Sequence, residues 1–362
     1  MKKSLLALAV LGAFAGAASA QSSVTVYGIV DTGIGSVDIN NGGERTTGLT
    51  SGAQSPSRIG FKGTEDLGGG LKANFQLEAG FNSDNGGSAA SNQIFNRVAT
   101  VGLSGAFGKV DLGRQTTILK DAHDQIDPFG GSGSIGNIAR IFYNGGVATN
   151  GAAVGDRVSN TIKYQTNSYS GFKAGAAYTF GEQEGDNGAQ RQYGVGLGYA
   201  NGPLNVQFAY NNVNADTATG GVVTPVGEAK IAFIGATYNF GAFKLHGAYA
   251  DGKFESNAGG TDVKYRNGLI GVSLPLGPGS LAASYAINDN RTFDDADSQQ
   301  VAIQYSYDLS KRTNLYAGYA RTNNDIGAAL GGSQLGSLNV TNASVGGGQD
   351  VSIIAVGIRH KF

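Results

Sequence analysis

Leu71, Ala73, Phe75, Leu77, Ala79 and Phe81 take one parity of the chain, and Lys72, Asn74, Gln76, Glu78 and Gly80 take the other. A strand sends successive side chains to opposite faces, so this run predicts a strand with one apolar and one polar side. The same alternation recurs from Phe172 to Phe180, from Leu204 to Asn211 and from Gln300 to Leu309. Each run is about nine to eleven residues, the length a tilted strand needs to cross a bilayer. The stretches 93–115 and 228–240 alternate less cleanly.

The links between runs fall into two kinds. Short ones carry turn residues at 66–70, 167–171, 201–203, 275–279 and 310–312, whereas long ones rich in Gly, Asn, Asp, Ser and Thr occupy 82–94, 181–190, 211–228, 251–262, 288–298 and 322–349. Short turns at one end and long loops at the other are how an exported up-and-down barrel is built, and counting hairpins gives about 16 strands. A secreted β-sandwich alternates too, but its strands are shorter. Here aromatic pairs also gather beside the turns, as in Tyr178 with Phe180, Phe208 with Tyr210, Tyr238 with Phe240 and Tyr305 with Tyr307. That is where the interfacial girdles of a membrane barrel sit.

Residues 1–20 read differently. Lys2 and Lys3 precede an apolar or small run to Ala18, and Ala18-Ser19-Ala20 stands before Gln21, which is the pattern of a cleaved secretory signal. The barrel domain is therefore expected over 21–362. No 18 successive apolar residues occur after Gln21, so the sequence predicts no membrane-spanning helix.

Composition then narrows the function. With no Cys the chain has neither a disulfide framework nor a Cys-ligated metal site, and its net charge of −1 gives no bias toward nucleic acid. The 17 Phe and 16 Tyr are too many for a disordered chain. Sixty glycines and a mean hydropathy of −0.14 fit a wall whose two faces cancel on average. Gly28, Gly60 and Gly102 are expected within strands.

The chain resembles the general porins of Gram-negative outer membranes, in particular their β-proteobacterial branch, over essentially Ser22 to Phe362. The likeness rests on Val24-Thr25-Val26-Tyr27-Gly28, on the run Ser57 to Gly68 (SRIGFKGTEDLG), and on Phe107 to Gln115 (FGKVDLGRQ). It continues with Pro128-Phe129-Gly130-Gly131, with Tyr307 to Thr313 (YDLSKRT), and with the closing Val356 to Phe362 (VGIRHKF). The resemblance implies a homotrimer of 16-stranded antiparallel transmembrane β-barrels in the cell outer membrane, surrounded by its lipids. In that family the third loop folds inward to narrow the pore, and a terminal Phe, here Phe362, signals insertion. The residues agree on the loop, because 116–156 is the longest stretch without alternation outside the termini, and long loops are usually functional. Within it, Ile118, Leu119, Ala122 and Ile126 share a helical stripe over 117–126.

By the same resemblance Arg58, Arg97 and Arg157 match the arginines of the family's pore wall. Lys62 joins them by parity alone, since Ile59 and Phe61 alternate against Arg58 and Lys62. Arg114 is ambiguous because it shares parity with Val110 and Leu112. Opposite the wall the family often has Pro-Glu-Phe-Gly-Gly, whereas this chain has Asp127-Pro128-Phe129-Gly130-Gly131, with the acid moved before the proline. Asp124 and Asp127 are then the expected loop carboxylates, with Asp121 a third candidate, and Phe129, Gly130 and Gly131 the expected loop tip. Asp31, Lys72, Glu78, Lys173 and His246 fall on polar parities and are expected on the wider lumen wall.

Enzyme motifs are missing. Gly131 to Gly136 fits G-x-G-x-x-G without a strand-to-helix setting, and no H-E-x-x-H, G-x-S-x-G or P-loop is present. The expected function is passive diffusion of small hydrophilic solutes and ions, with no cofactor and no nucleic-acid partner. Wall cations exceed the loop acids, which predicts a weak anion preference, while Asp294, Asp295 and Asp297 act against it at the mouth. The rivals are a barrel serving as adhesin or receptor through its loops, and a barrel hydrolase, which needs a serine nucleophile.

Overall fold

The computed structural model describes residues 23–40, 45–131, 133, 135–137, 142, 155–184, 186–219, 222–257, 259–328 and 347–362. The expected signal segment 1–20 and the loop positions 132, 134, 138–141 and 143–154 lie outside the described residues. The strands in chain order are β1 (Ser23–Ile39), β2 (Arg45–Ser51), β3 (Arg58–Gly68), β4 (Leu71–Gly80), β5 (Val98–Gly105) and β6 (Gly108–Thr116). After the helix α1 (Ile118–Asp124) come β7 (Arg157–Gln165), β8 (Phe172–Thr179), β9 (Gln192–Asn201) and β10 (Leu204–Asn214). A small hairpin, β11 (Thr217–Thr219) and β12 (Val222–Thr224), stands apart in a loop. The wall resumes with β13 (Gly227–Asn239), β14 (Lys244–Ser256), β15 (Val263–Leu276), β16 (Gly279–Asn290), β17 (Ser298–Asp308), β18 (Thr313–Asn324) and β19 (Val351–Lys361).

Every neighbouring pair in the wall is antiparallel, and β1 returns to β19 with Ile29 against Lys361 and Ile39 against Val351. That pairing closes the sheet and removes its edges, the condition for crossing lipid with strands. β2 and β3 are two halves of one stave, because both lie along β1: Thr32 to Asp38 face Ser51 to Arg45, and Ser23 to Ile29 face Thr64 to Arg58. The result is a closed 16-strand barrel. Gly28, Gly60 and Gly102 all lie in its strands.

The two faces differ as the alternation requires. Val101, Ile270 and Ile354 remain 60%, 64% and 55% exposed, which in water would be costly and in a membrane is contact with lipid. Aromatic rings pair at the short-turn end of this face, with Phe172 and Tyr199 at 4.5 Å and Tyr238 and Phe240 at 4.6 Å. Inside, polar residues bond one another across strands, as when Asn288 donates to Asn267 at 2.6 Å and Gln300 to Thr322 at 3.1 Å.

The stretch 228–240 lost its alternating signal for a tertiary reason. On β13 the inward residues Ala229, Ile231 and Phe233 are apolar because the third loop covers them: they are buried with Ile118, Leu119, Ala122, Ile126 and Phe142. The barrel thus carries an apolar core inside one wall, not only apolar residues outside it. A second core joins Phe129 and Ile135 of the loop to Val37, Ile39, Ala302, Tyr316 and Ala355.

The gap between β2 and β3 turns inward and meets the loop. Asp31, fully buried, accepts the backbone N–H of Gln54 at 3.1 Å and of Ser55 at 2.6 Å on one carboxylate oxygen, and the Tyr316 hydroxyl at 2.6 Å on the other. The segment so held offers the Ala53 carbonyl to the N–H of Ile135, 3.3 Å away. Asp31 was expected to line the lumen; the structure makes it a brace instead.

Candidate pore constriction

The predicted helical stripe folds as α1, one turn shorter than expected. Thr117 caps it, its hydroxyl accepting the Lys120 N–H at 3.2 Å. Its apolar side lies against wall positions that have no side chain: a Cβ on Gly196 would come within 2.6 Å of Ile118 Cγ2, and one on Gly235 within 2.8 Å of Ile126 Cγ1. Glycine in a strand normally weakens it, and here it admits the loop. Gly196→Val should therefore push α1 off the wall toward the lumen, lowering unit conductance and raising open-channel noise in a planar bilayer. An unchanged current trace would separate α1 from the width of the pore.

Polar contacts fix the rest of the loop. His246, inward on β14, lies 2.6 Å by Nδ1 from the Ile126 carbonyl and so donates to it. Lys163 on β7 donates to Asp121 at 2.7 Å, and Gln207 on β10 to Gln125 at 3.1 Å. His246 is thus a wall residue with a task, holding the loop across the lumen. Asp121 is spent on the same anchorage.

Against the loop stands the wall cluster. Glu78, inward on β4, takes the Arg97 Nε–H at 2.6 Å on Oε1 and has Arg58 Nη1 at 3.9 Å from the same oxygen. Tyr27 donates to its other oxygen at 2.9 Å, and Gln76 in turn donates to Tyr27 at 2.7 Å. Arg157 and Asp156 line the same cavity as Arg97, a space of about 370 Å³ that Arg114 and Lys120 also border. Of the three arginines matched by resemblance, Arg58 and Arg97 meet at one carboxylate, and Arg157 lines one cavity with Arg97.

Not every expected residue joins them. Lys62 is inward on β3 but nearer the short-turn end, its ammonium 5.2 Å from the Tyr27 ring centre. Asp124 pairs with the Lys120 ammonium and lies 3.3 Å from His123 Nδ1. Burial pushes its carboxyl up, but the His123 hydrogen bond and the Lys120 charge outweigh that and hold it below the usual carboxylate value. Asp127 is only 5% exposed and accepts the N–H groups of Phe129 at 2.9 Å and Gly131 at 3.0 Å. Burial raises its carboxyl. The structure places Asp127 as a fastener of the turn and not at the lumen surface, because the proline after it directs its carboxylate back onto the loop's own backbone. Phe129 packs into the second core, while Gly130 and Gly131 take φ of 75° and 71°, a region other residues adopt at a cost.

One participant, Lys120, escaped the sequence reading, and a second, Arg114, was left open by it. Lys120, 1% exposed, bonds Asp124 and the Gly131 carbonyl at 2.6 Å and faces the wall arginines from the loop side. The i, i+4 spacing of Lys120 and Asp124 on the expected helix was its one signal. Arg114 lies at a bulge between β6 and β7, donating to the Asn96 carbonyl at 2.7 Å and to Ser159 at 3.1 Å. Parity fails across a bulge, which is why its direction was ambiguous.

A family description for the Gram-negative porin matches residues 7–327. The chain belongs to the Gram-negative porins. This porin is 39% identical to outer membrane porin protein 32 of Delftia acidovorans over 366 residues, which cover 100% of each chain. It is 40% identical to an outer membrane porin protein of Bordetella pertussis over 370 residues, 88% of this chain and 93% of the relative. The solved anion-selective porin from Comamonas acidovorans superposes with a TM-score of 0.80 at 36% identity, covering 94% of this chain and 100% of that one. An outer membrane protein of Vibrio cholerae, 17% identical with a TM-score of 0.66, shares the fold. The protein is an outer-membrane porin, a passive channel of a family that performs no enzymatic chemistry.

Proposed function

We propose that this porin passes small hydrophilic solutes and ions through a constriction formed by Arg58, Arg97 and Arg157 on the wall and by the third loop opposite, with a weak preference for anions. The observation that carries the reading is the convergence of Arg58 and Arg97 on the carboxylate of Glu78, with Arg157 and Arg114 lining one cavity with Arg97. Glu78 and Asp156 offset two of the four wall guanidiniums, counting Arg114, and on the loop side Asp124 offsets Lys120, so the narrow section keeps a positive remainder. Charges held beside low-dielectric walls act on a passing ion more strongly than the same charges in open water. Lys62 extends the positive wall toward the short-turn end. The solved anion-selective relative supports the same sign.

The working unit is a homotrimer, each barrel with its own pore. A trimer form of a Vibrio cholerae outer membrane protein that shares this fold supports it. The test is a planar bilayer holding the purified porin under a potassium chloride gradient. Discrete steps in groups of three and a reversal potential on the chloride side are expected; a potential on the potassium side would overturn the anion preference, and single steps the trimer.

A further inference from the structure

A second group of cations lies at the short-turn end of the lumen and takes no part in the constriction. On β19 the residues Arg359 and Lys361 share parity with Val351, Ile353 and Ala355, whose side chains are buried inside the barrel, so both point inward. They stand one residue pair apart on one face, about 6.6 Å along the strand. Lys361 is opposite Ile29, and Ile29 opposite Arg58, which puts Lys361 two strands, about 10 Å, from the first arginine of the constriction.

Arg312 joins them, because its carbonyl accepts the Lys361 N–H at 2.8 Å in the turn between β17 and β18. Arg359, Lys361, Arg312 and Lys311 border one cavity of about 320 Å³ together with hydroxyl and amide donors such as Ser306 and Asn314. Asp308 is the one carboxylate among the described lining residues. The Arg359 guanidinium is fixed in place by donating to Asn314 Oδ1 at 3.1 Å and to Ser55 Oγ at 3.0 Å.

We propose that this cavity is a binding site for phosphate-type oxyanions, a second station between the constriction and the exit. A held guanidinium fork matches an oxyanion with two or more oxygens in a way it does not match a halide, and lysines and hydroxyls at the rim supply further donors. Four cations against one carboxylate provide the attraction. The inference rests on the anion-favouring reading of the pore and adds a ligand class and a location to it.

The experiment measures chloride current through the reconstituted porin while inorganic phosphate, or in a second arm glycerol phosphate, is added. Phosphate is expected to reduce the current. In Arg359→Gln/Lys361→Gln the half-blocking concentration should rise about tenfold, the loss expected when charge-assisted bonds to the oxyanion are removed. Lys311→Gln/Arg312→Gln changes only the exposed turn, spares the Asn314 and Ser55 contacts, and should raise it too. Block as strong as the parent's in both variants would overturn the site and assign the block to the constriction. A parent that prefers chloride but ignores both phosphates also overturns it and leaves the porin reading standing, whereas a parent without chloride preference overturns that reading. Block by glycerol phosphate as well as by the free ion would show that the phosphate group itself is recognised.

Discussion

Replacing Arg58 and Arg97 together by glutamate should turn the channel from favouring chloride to favouring potassium. The substitution changes the narrow section by four charge units. At about 8 Å in bulk water one unit is worth about 0.5 kcal/mol to a passing ion, so the reversal is worth about 2 kcal/mol before the barrel walls strengthen it. That corresponds to at least about a tenfold fall in the anion-to-cation permeability ratio. Reversal potentials in a potassium chloride gradient measure it directly. Arg157→Gln removes a single charge without adding a carboxylate beside Glu78 and should move the ratio the same way by a smaller amount. A ratio unchanged in both variants would take all three arginines out of the path of the ions.

Asp31→Ala should destabilise the barrel more than any other single truncation on its inner face. The carboxylate gathers two backbone N–H groups and the Tyr316 hydroxyl where no water reaches it. Each buried donor left without an acceptor costs about 1–3 kcal/mol, so the three together cost about 3–9 kcal/mol. Loss of folded barrel on heating, followed by circular dichroism in detergent, reports the drop. Because the segment between β2 and β3 also receives the loop at Ala53 and Ile135, the channels that do form should show a noisier open current. Asp31→Asn keeps an acceptor of the same shape and should fall between the two. A variant with parental melting and a quiet current would remove the brace from this account.

The wall was legible in the sequence because a membrane barrel writes its two environments directly onto parity. Lys72, Glu78 and Lys173 were placed inward by counting residues from Phe75 or Phe172, and the strands β4 and β8 carry them there. Arg58 was placed by both parity and motif, and it faces Glu78. The count failed where a second partner covered the inner face. Ile231 and Phe233 are apolar on the side that ought to be polar, since they meet the loop and not water. It failed again at Arg114, where a bulge shifts the register between Gly113 and Gln115.

The loop was harder. Its helix could be read from the stripe of Ile118, Leu119, Ala122 and Ile126, but the stripe does not say which wall it meets. Asp127 left its expected place, and Lys120 went unread, for that reason. A carboxylate before a proline is free, on sequence grounds, to face the lumen or its own backbone, and the two N–H groups of Phe129 and Gly131 decide for the backbone. Lys120 looks like a solvated helix residue until the loop is folded inward, when its ammonium comes between Asp124, the Gly131 carbonyl and the wall.

The sequence by itself therefore determined the barrel, the face each regular strand residue takes, and the stock of charges available to a pore. Those follow from a period of two and from the need to satisfy every backbone group across lipid. Only the tertiary structure decided which of those charges meet. The arginines come from strands or loops far apart in the chain, and the loop's direction is set by glycine-lined wall and buried apolar contacts that no local pattern encodes.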